Sequence, residues 1–197
     1  MTSFLAGLGT GLSLIVAIGA QNAFVLKQGL LRRHVLAVCL FCAASDALLI
    51  ALGVGGMAAA GARFPWLVAA MRWGGVAFLL WYGLRSFRAA LRGGDALRPA
   101  GRGDGLAATL LTAAALTWLN PHVWLDTVVL LGAVSSQWPD RRGFAAGAIC
   151  GSFLFFFALG YGARLLAPVF ARPRAWQWLE AGVGAIMWAI AARLALG

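Results

Sequence analysis

The stretch "SLIVAIGAQNAFVLKQG", Ser13–Gly29, decides how the chain is read. It belongs to a long apolar run, Ser3–Leu31, which Gly19-Ala20-Gln21-Asn22 interrupts. An apolar run of that length finds its natural solvent in a bilayer, where about 20 apolar residues make one helical crossing. Hydrocarbon leaves no water to satisfy an opened backbone or a side-chain amide, so polar residues in mid-run need partners inside the protein. The interruption therefore makes sense if Gln21 and Asn22 line a polar cavity rather than face lipid.

The composition supports that solvent. Of 197 residues, 62% are hydrophobic and 11% charged, against about 25% charged in a typical soluble domain. Six apolar runs are predicted to cross as helices: Ser3–Leu31, Val35–Ala60, Pro65–Leu84, Leu106–Val134, Phe144–Leu166 and Trp176–Leu196. No Lys or Arg precedes the first run, so the charged region that opens a signal peptide is missing. Cys39 and Cys42 have the spacing of a redox or metal pair. Inside an apolar run, with no polar ligands beside them, they read as small packing thiols, and Cys150 reads the same way.

The formal charge of +10 would suggest nucleic acid in a soluble protein, but here the cations are sorted by loop. The first, third and fifth loops, with their flanking span ends, hold eleven of the sixteen Lys and Arg, including Lys27, Arg85, Arg88, Arg92 and Arg174. Arg63, Arg72, Arg141, Arg142 and Arg193 fall on the other side. The richer side is expected to be cytoplasmic, with both termini outside. Arg85, Arg88 and Arg92 continue the third helix as a basic face suited to anionic headgroups, and Arg92 is kept as a gating candidate.

The chain divides into 1–92, a basic cytoplasmic linker 93–105, and 106–197. Three crossings per half would give the halves opposite orientations. The first run of each half is long and interrupted, at "GAQN" (Gly19–Asn22) and at "WLNPHVWLD" (Trp118–Asp126). Pro121 lacks an N–H and clashes with the preceding turn, and Gly19 gives the same freedom to the first run. Corresponding breaks in two halves are the best sequence pointer to a transporter's binding site. The expected fold is thus all-α: six transmembrane helices forming two inverted three-helix repeats, the first helix of each repeat broken.

Asp46 and Asp126 lie well inside apolar runs, whereas Asp95, Asp104 and Asp140 are in loops and Glu180 is near a span end. A carboxylate at the centre of a membrane helix costs ~2.5–3.5 kcal/mol on insertion scales and usually faces a cavity. It could bind a cationic substrate or carry a proton. His122 and Asp126 are four apart, on one helix face, and could titrate together. Two local ligands make no metal site, and no Gly-rich phosphate loop suggests nucleotide-driven pumping. The reading therefore calls for no metal, no cofactor and no enzyme activity.

Four segments carry a family resemblance: "SLIVAIGAQNAFVLKQGLLRRH", "CAASDALLI", "WGGVAFLLWYG" and "LTWLNPHVWLDTVVLLG". Together, and in this order, they resemble the LysE family, particularly its lysine and arginine exporters. "AIGAQN" stands where some relatives have Pro-Gly-Pro, which softens the first break. The resemblance implies efflux of L-lysine or L-arginine across a bacterial inner membrane, driven by an ion gradient, with H+ as the expected coupling ion, or by membrane potential. The expected substrate residues are Gln21, Asn22, Asp46, Asn120, His122 and Asp126. Asp46, Asp126 and His122 are the candidates for proton coupling. Expected partners are the substrate, the coupling ion and the bilayer, with no nucleic acid. A homo-oligomer, a neutral amino-acid or metal-cation exporter and a non-transport scaffold remain open.

Overall fold

The computed structural model describes residues 1–16, 19–55, 65–92, 105–170 and 173–196. Every regular element among them is helical. Half one contributes α1 (Thr2–Ile15), α2 (Ala20–Leu31), α3 (Val35–Val54) and α4 (Pro65–Arg92). Half two contributes α5 (Leu106–Trp118), α6 (Pro121–Trp124), a π-helical stretch (Leu125–Leu130) and α7 (Leu131–Ser135), then α8 (Arg141–Phe170) and α9 (Pro173–Leu196).

Among the described residues three stretches, Val35–Val54, Arg141–Leu166 and Arg174–Leu196, are long and apolar enough to cross a bilayer alone. The bent pair α1 and α2 makes a fourth if it is one crossing. Apolar side chains also face outward: Leu36, Leu40 and Leu48 on α3, Leu154 on α8 and Trp178 on α9 are exposed. The buried face of α3 is also largely apolar, with Val38, Cys39, Cys42, Leu49 and Ile50, but it carries Ser45 and Asp46 as well. A helix apolar on its outer side whose carboxylate points inward suits lipid outside and a polar site within.

Local signals explain several element ends. Arg32, at φ 53°, closes α2 in the left-handed conformation. Arg33 N–H donates to the Gln28 carbonyl and Arg32 N–H to that of Gly29, both at 3.1 Å. These two bonds satisfy carbonyls the helix end would leave open. At the start of α8, Asp140 accepts a 2.8 Å hydrogen bond from Gly143 N–H, the expected work of an aspartate before a first turn.

Packing crosses the two halves. The most extensive contacts are α1 on α8 and α4 on α9, followed by α3 and α2 on α8. Small residues allow the first. A methyl added at Gly7 would overlap the Phe144 backbone, and one at Gly147 would meet the Leu8 nitrogen at 2.8 Å. The second arm of each interrupted helix likewise packs on the second helix of the opposite half. Gly29 of α2 lies against Gly160 of α8, and Gly132 of α7 lies against Gly53 of α3.

Some expectations need correction. Cys39 and Cys42 are buried, but Cys150 is exposed, because its face of α8 turns outward. Trp176 reads from sequence as an interfacial anchor; it is buried and packs in a cluster with Leu30 and Ala163. Arg72 lies inside the third run, where by sequence its long side chain could snorkel outward; it instead reaches α9. Its Nε donates to the Leu194 carbonyl at 2.5 Å and its Nη2 to that of Ala195 at 3.1 Å, capping the last turn of α9. The linker reading, 93–105, falls outside the described residues except for Gly105.

Candidate functional site

Both interruptions are present in the backbone. α1 ends at Ile15 and α2 begins at Ala20, with Gly19 extended at the N-cap. The axes of these two helices diverge by 83°. In half two, α5 ends at Trp118 and α6 starts at Pro121. Pro121 stands at the first helical position, where a missing N–H is tolerated because that group has no intrahelical acceptor. So the proline opens α6, and the chain breaks just ahead of it, at Leu119–Asn120.

Side chains next to each break satisfy what the break releases. Asn22 Nδ2 donates to the Ile15 carbonyl at 2.7 Å, closing the end of α1. Trp124 Nε1 donates to the Trp118 carbonyl at 3.0 Å, closing the end of α5. Trp118 Nε1 in turn reaches Ser45 Oγ at 3.3 Å, tying α5 to α3. In each half a donor from the second arm caps the first, so the breaks are supported structures rather than frayed helices.

The two breaks meet at one cavity of about 270 Å³, close to the lower end of small-molecule sites (~300–1,000 Å³). Gly19, Gln21 and Asn22 line it from the first break, and Asn120 and Asp126 from the second. Asp46 of α3, Phe156 of α8 and Arg193 of α9 line it as well. Asp46 sits ~16 Å along α3 from Val35, by the helical rise.

Asp46 is 2% exposed. Its Oδ2 accepts a 2.9 Å hydrogen bond from Ser152 Oγ of α8, while Oδ1 has no protein partner. Gln21 is buried and its Nε2 has no partner either. A buried acceptor and a buried donor thus lie unsatisfied at the same cavity, and such groups are costly unless a ligand or water completes them. Asn120 is buried and Asp126 half-buried. Four to six residues into the second arm, the backbone widens into the π-helical stretch that contains Asp126 and Thr127. Single π-turns in α-helices are frequent at functional sites. The His122–Asp126 spacing runs into this π-helical stretch rather than along one continuous α-helix. The side chains of His122 and Arg92 lie outside those described.

Three features escaped the sequence reading. Ser152 holds Asp46 from a helix 106 residues away, and no local pattern announces that bond. Arg193 sorts with the outer charges in sequence but lines the cavity beside Ile190, one turn earlier on α9; that i, i+3 spacing is its only advance signal. Glu180, placed near a span end, is buried and forms a 2.6 Å ion pair with Lys27 of α2.

An all-helical, lipid-suited bundle with two interrupted helices around a carboxylate-bearing cavity has the architecture of a membrane transporter. Comparison with known proteins agrees. The family model "LysE type translocator" matches residues 12–197. The chain is 44% identical to the arginine exporter protein ArgO of Klebsiella pneumoniae over 98% of its own length and 93% of the relative's. It is 45% identical to the putative amino-acid transporter YggA of Aeromonas salmonicida, covering 98% and 95%. With ArgO of Escherichia coli it shares 43%, covering 98% and 92%. No solved structure matches the chain. The chain belongs to the LysE family of translocators: it is a multi-pass membrane transporter, not an enzyme.

Proposed function

We propose that the protein exports basic L-amino acids, L-arginine and/or L-lysine, from the cytoplasm across the bacterial inner membrane. Two relatives with over 40% identity carry the name arginine exporter. The single observation that carries the reading is the meeting of Asp46, Asp126 and both helix breaks at one cavity. Two carboxylates there suit a cargo with a positive side chain, and the orphaned donor of Gln21 suits the cargo's carboxylate.

In this reading the α-carboxylate meets the amides of Gln21, Asn22 and Asn120 together with the open N–H groups at the start of α2. The cationic side chain or the α-amine pairs with Asp46 or Asp126. Proton exchange on Asp126, assisted by His122, couples export to the gradient, and Arg92 gates the cytoplasmic side. Transport proceeds by alternating access, the two halves acting as inverted three-helix repeats within six crossings. The paired contacts support this: the second arm of each broken helix rests on the second helix of the other half, through Gly29 and Gly160 and through Gly132 and Gly53.

Labelled arginine and lysine flux in proteoliposomes, with and without an imposed pH gradient, tests the reading. Saturable efflux of a basic amino acid, accelerated by the gradient and resistant to homoserine and leucine, is expected. Flux only of neutral amino acids, or none, would overturn it.

A further inference from the structure

The cavity holds a cation as well as two acids. Arg193 lines it from the last full turn of α9, while Asp46 lines it from α3 and Asp126 from the π-helical stretch. An arginine near a helix end ordinarily snorkels toward headgroups. Arg164 shows that ordinary setting: it is exposed, with its guanidinium 4.8 Å from the Tyr161 ring centroid. Arg193 is exposed as well but differs in two respects. It lines the cavity rather than stacking on an aromatic neighbour. And among the described residues its guanidinium has no hydrogen-bond or ion-pair partner.

A binding site for a basic amino acid must recognise three charges, two positive and one negative. The acids supply partners for the positive ends. The amides of Gln21, Asn22 and Asn120 and the N–H groups at the start of α2 supply only uncharged donors for the negative end, and hydrogen bonds to a charged donor are roughly twice as strong. A guanidinium offers two parallel N–H donors in the geometry a carboxylate accepts. We propose that Arg193 is the specificity residue for the substrate's α-carboxylate, so that the transporter distinguishes amino acids from amines carrying the same cationic side chain. The assignment rests on the basic amino-acid export proposed above.

The discriminating pair of cargoes is arginine and agmatine, which share a guanidinium and an amine and differ by the carboxylate. Efflux of each, labelled, is measured from proteoliposomes containing wild type, Arg193→Gln or Arg193→Lys, with rates normalised to protein in the vesicles. Wild type is expected to prefer arginine. Arg193→Gln should slow arginine efflux roughly tenfold or more, the scale of one lost charged hydrogen bond, while agmatine efflux stays level or rises. Arg193→Lys should retain part of the preference. A merely structural role would lower both cargoes together and leave their ratio unchanged, and that result would overturn the assignment. So would wild type moving agmatine as fast as arginine, or both cargoes accelerating in Arg193→Gln, which would make Arg193 an electrostatic barrier. Wild type that moves no basic amino acid would instead bring down the export reading, and the assignment with it.

Discussion

Asp46 is half satisfied. Ser152 donates to one carboxylate oxygen, and the other has no protein partner although both lie within the bundle. An unpaired buried acceptor is destabilising on its own account, so its retention fits a cargo or proton that completes it. Asp46→Asn should abolish arginine efflux while leaving the protein in the membrane, since removing a charge only eases insertion. Undiminished efflux with a normal amount of membrane-inserted protein would refute the role. A second residue-scale test concerns Lys27 and Glu180. Their 2.6 Å pair is enclosed, with side chains 17% and 4% exposed. Removing one member of a buried pair leaves the other charge uncompensated, at roughly 3–5 kcal/mol when fully enclosed; the partial exposure of Lys27 puts the expectation below that range. Glu180→Gln should therefore lower the melting temperature in detergent more than the apolar double substitution Lys27→Met with Glu180→Leu does. A double variant less stable than Glu180→Gln would show that the pair contributes net attraction beyond its own desolvation.

At the scale of elements, the two interruptions were legible because their causes are local. Glycine, proline and side-chain amides within an apolar run announce an opening wherever the helix ends up, and both breaks appear where Gly19 and Asn120–Pro121 indicate. What those residues do not reveal is the capping. Asn22 closes α1, and Trp124, not an amide, closes α5. The G-x-x-x-G spacings at Gly7 and Gly11 and at Gly147 and Gly151 signal close helix packing without naming a partner, and the structure brings the two together where α1 crosses α8. The tightness of that crossing makes a sharp prediction. A side chain at Gly147 meets backbone atoms of Phe4 and Leu8, which cannot turn aside as a flexible side chain would. Gly147→Leu should separate the helices and cost at least the ~1–3 kcal/mol typical of overpacking, read as lost thermal stability in detergent. Gly9→Leu, where an added Cβ meets nothing within 4 Å, is the control and should be nearly silent. Equal losses in both variants would mean that helix propensity or insertion, rather than the crossing, sets the effect.

For the whole molecule, what stayed hidden in the sequence was rotation: which side of each helix turns inward. Asp46 could be picked out because a carboxylate in mid-run has few other places to go. Arg193 and Trp176 could not, because cations and tryptophans near span ends are common on lipid-facing and inward faces alike; nor could Arg72, whose long side chain could reach outward from within its run, and only the set of neighbours decides. The same limit applies to Cys150, which shares its composition with the buried thiols and not their orientation. Orientation across the membrane rests on a different quantity, the sorting of charge between loops, and it can be tested without any side-chain detail. Eleven of sixteen cations fall on one side when the six runs alternate. If six crossings and that bias set the orientation, a reporter inserted after Gly94 is cytoplasmic, while one fused after Gly197 is on the outer face. Paired fusions to a phosphatase active only outside and a fluorescent protein that folds only inside would read both positions. A fluorescent C-terminal fusion with a dark phosphatase would contradict the six-crossing orientation. A five-crossing chain would also move one reporter relative to the other, so the two positions must be read together. Agreement at both would leave α2 and the second arm of half two on opposite sides of the cavity, as an inverted repeat requires: each arm would lead from the shared polar centre toward a different membrane face.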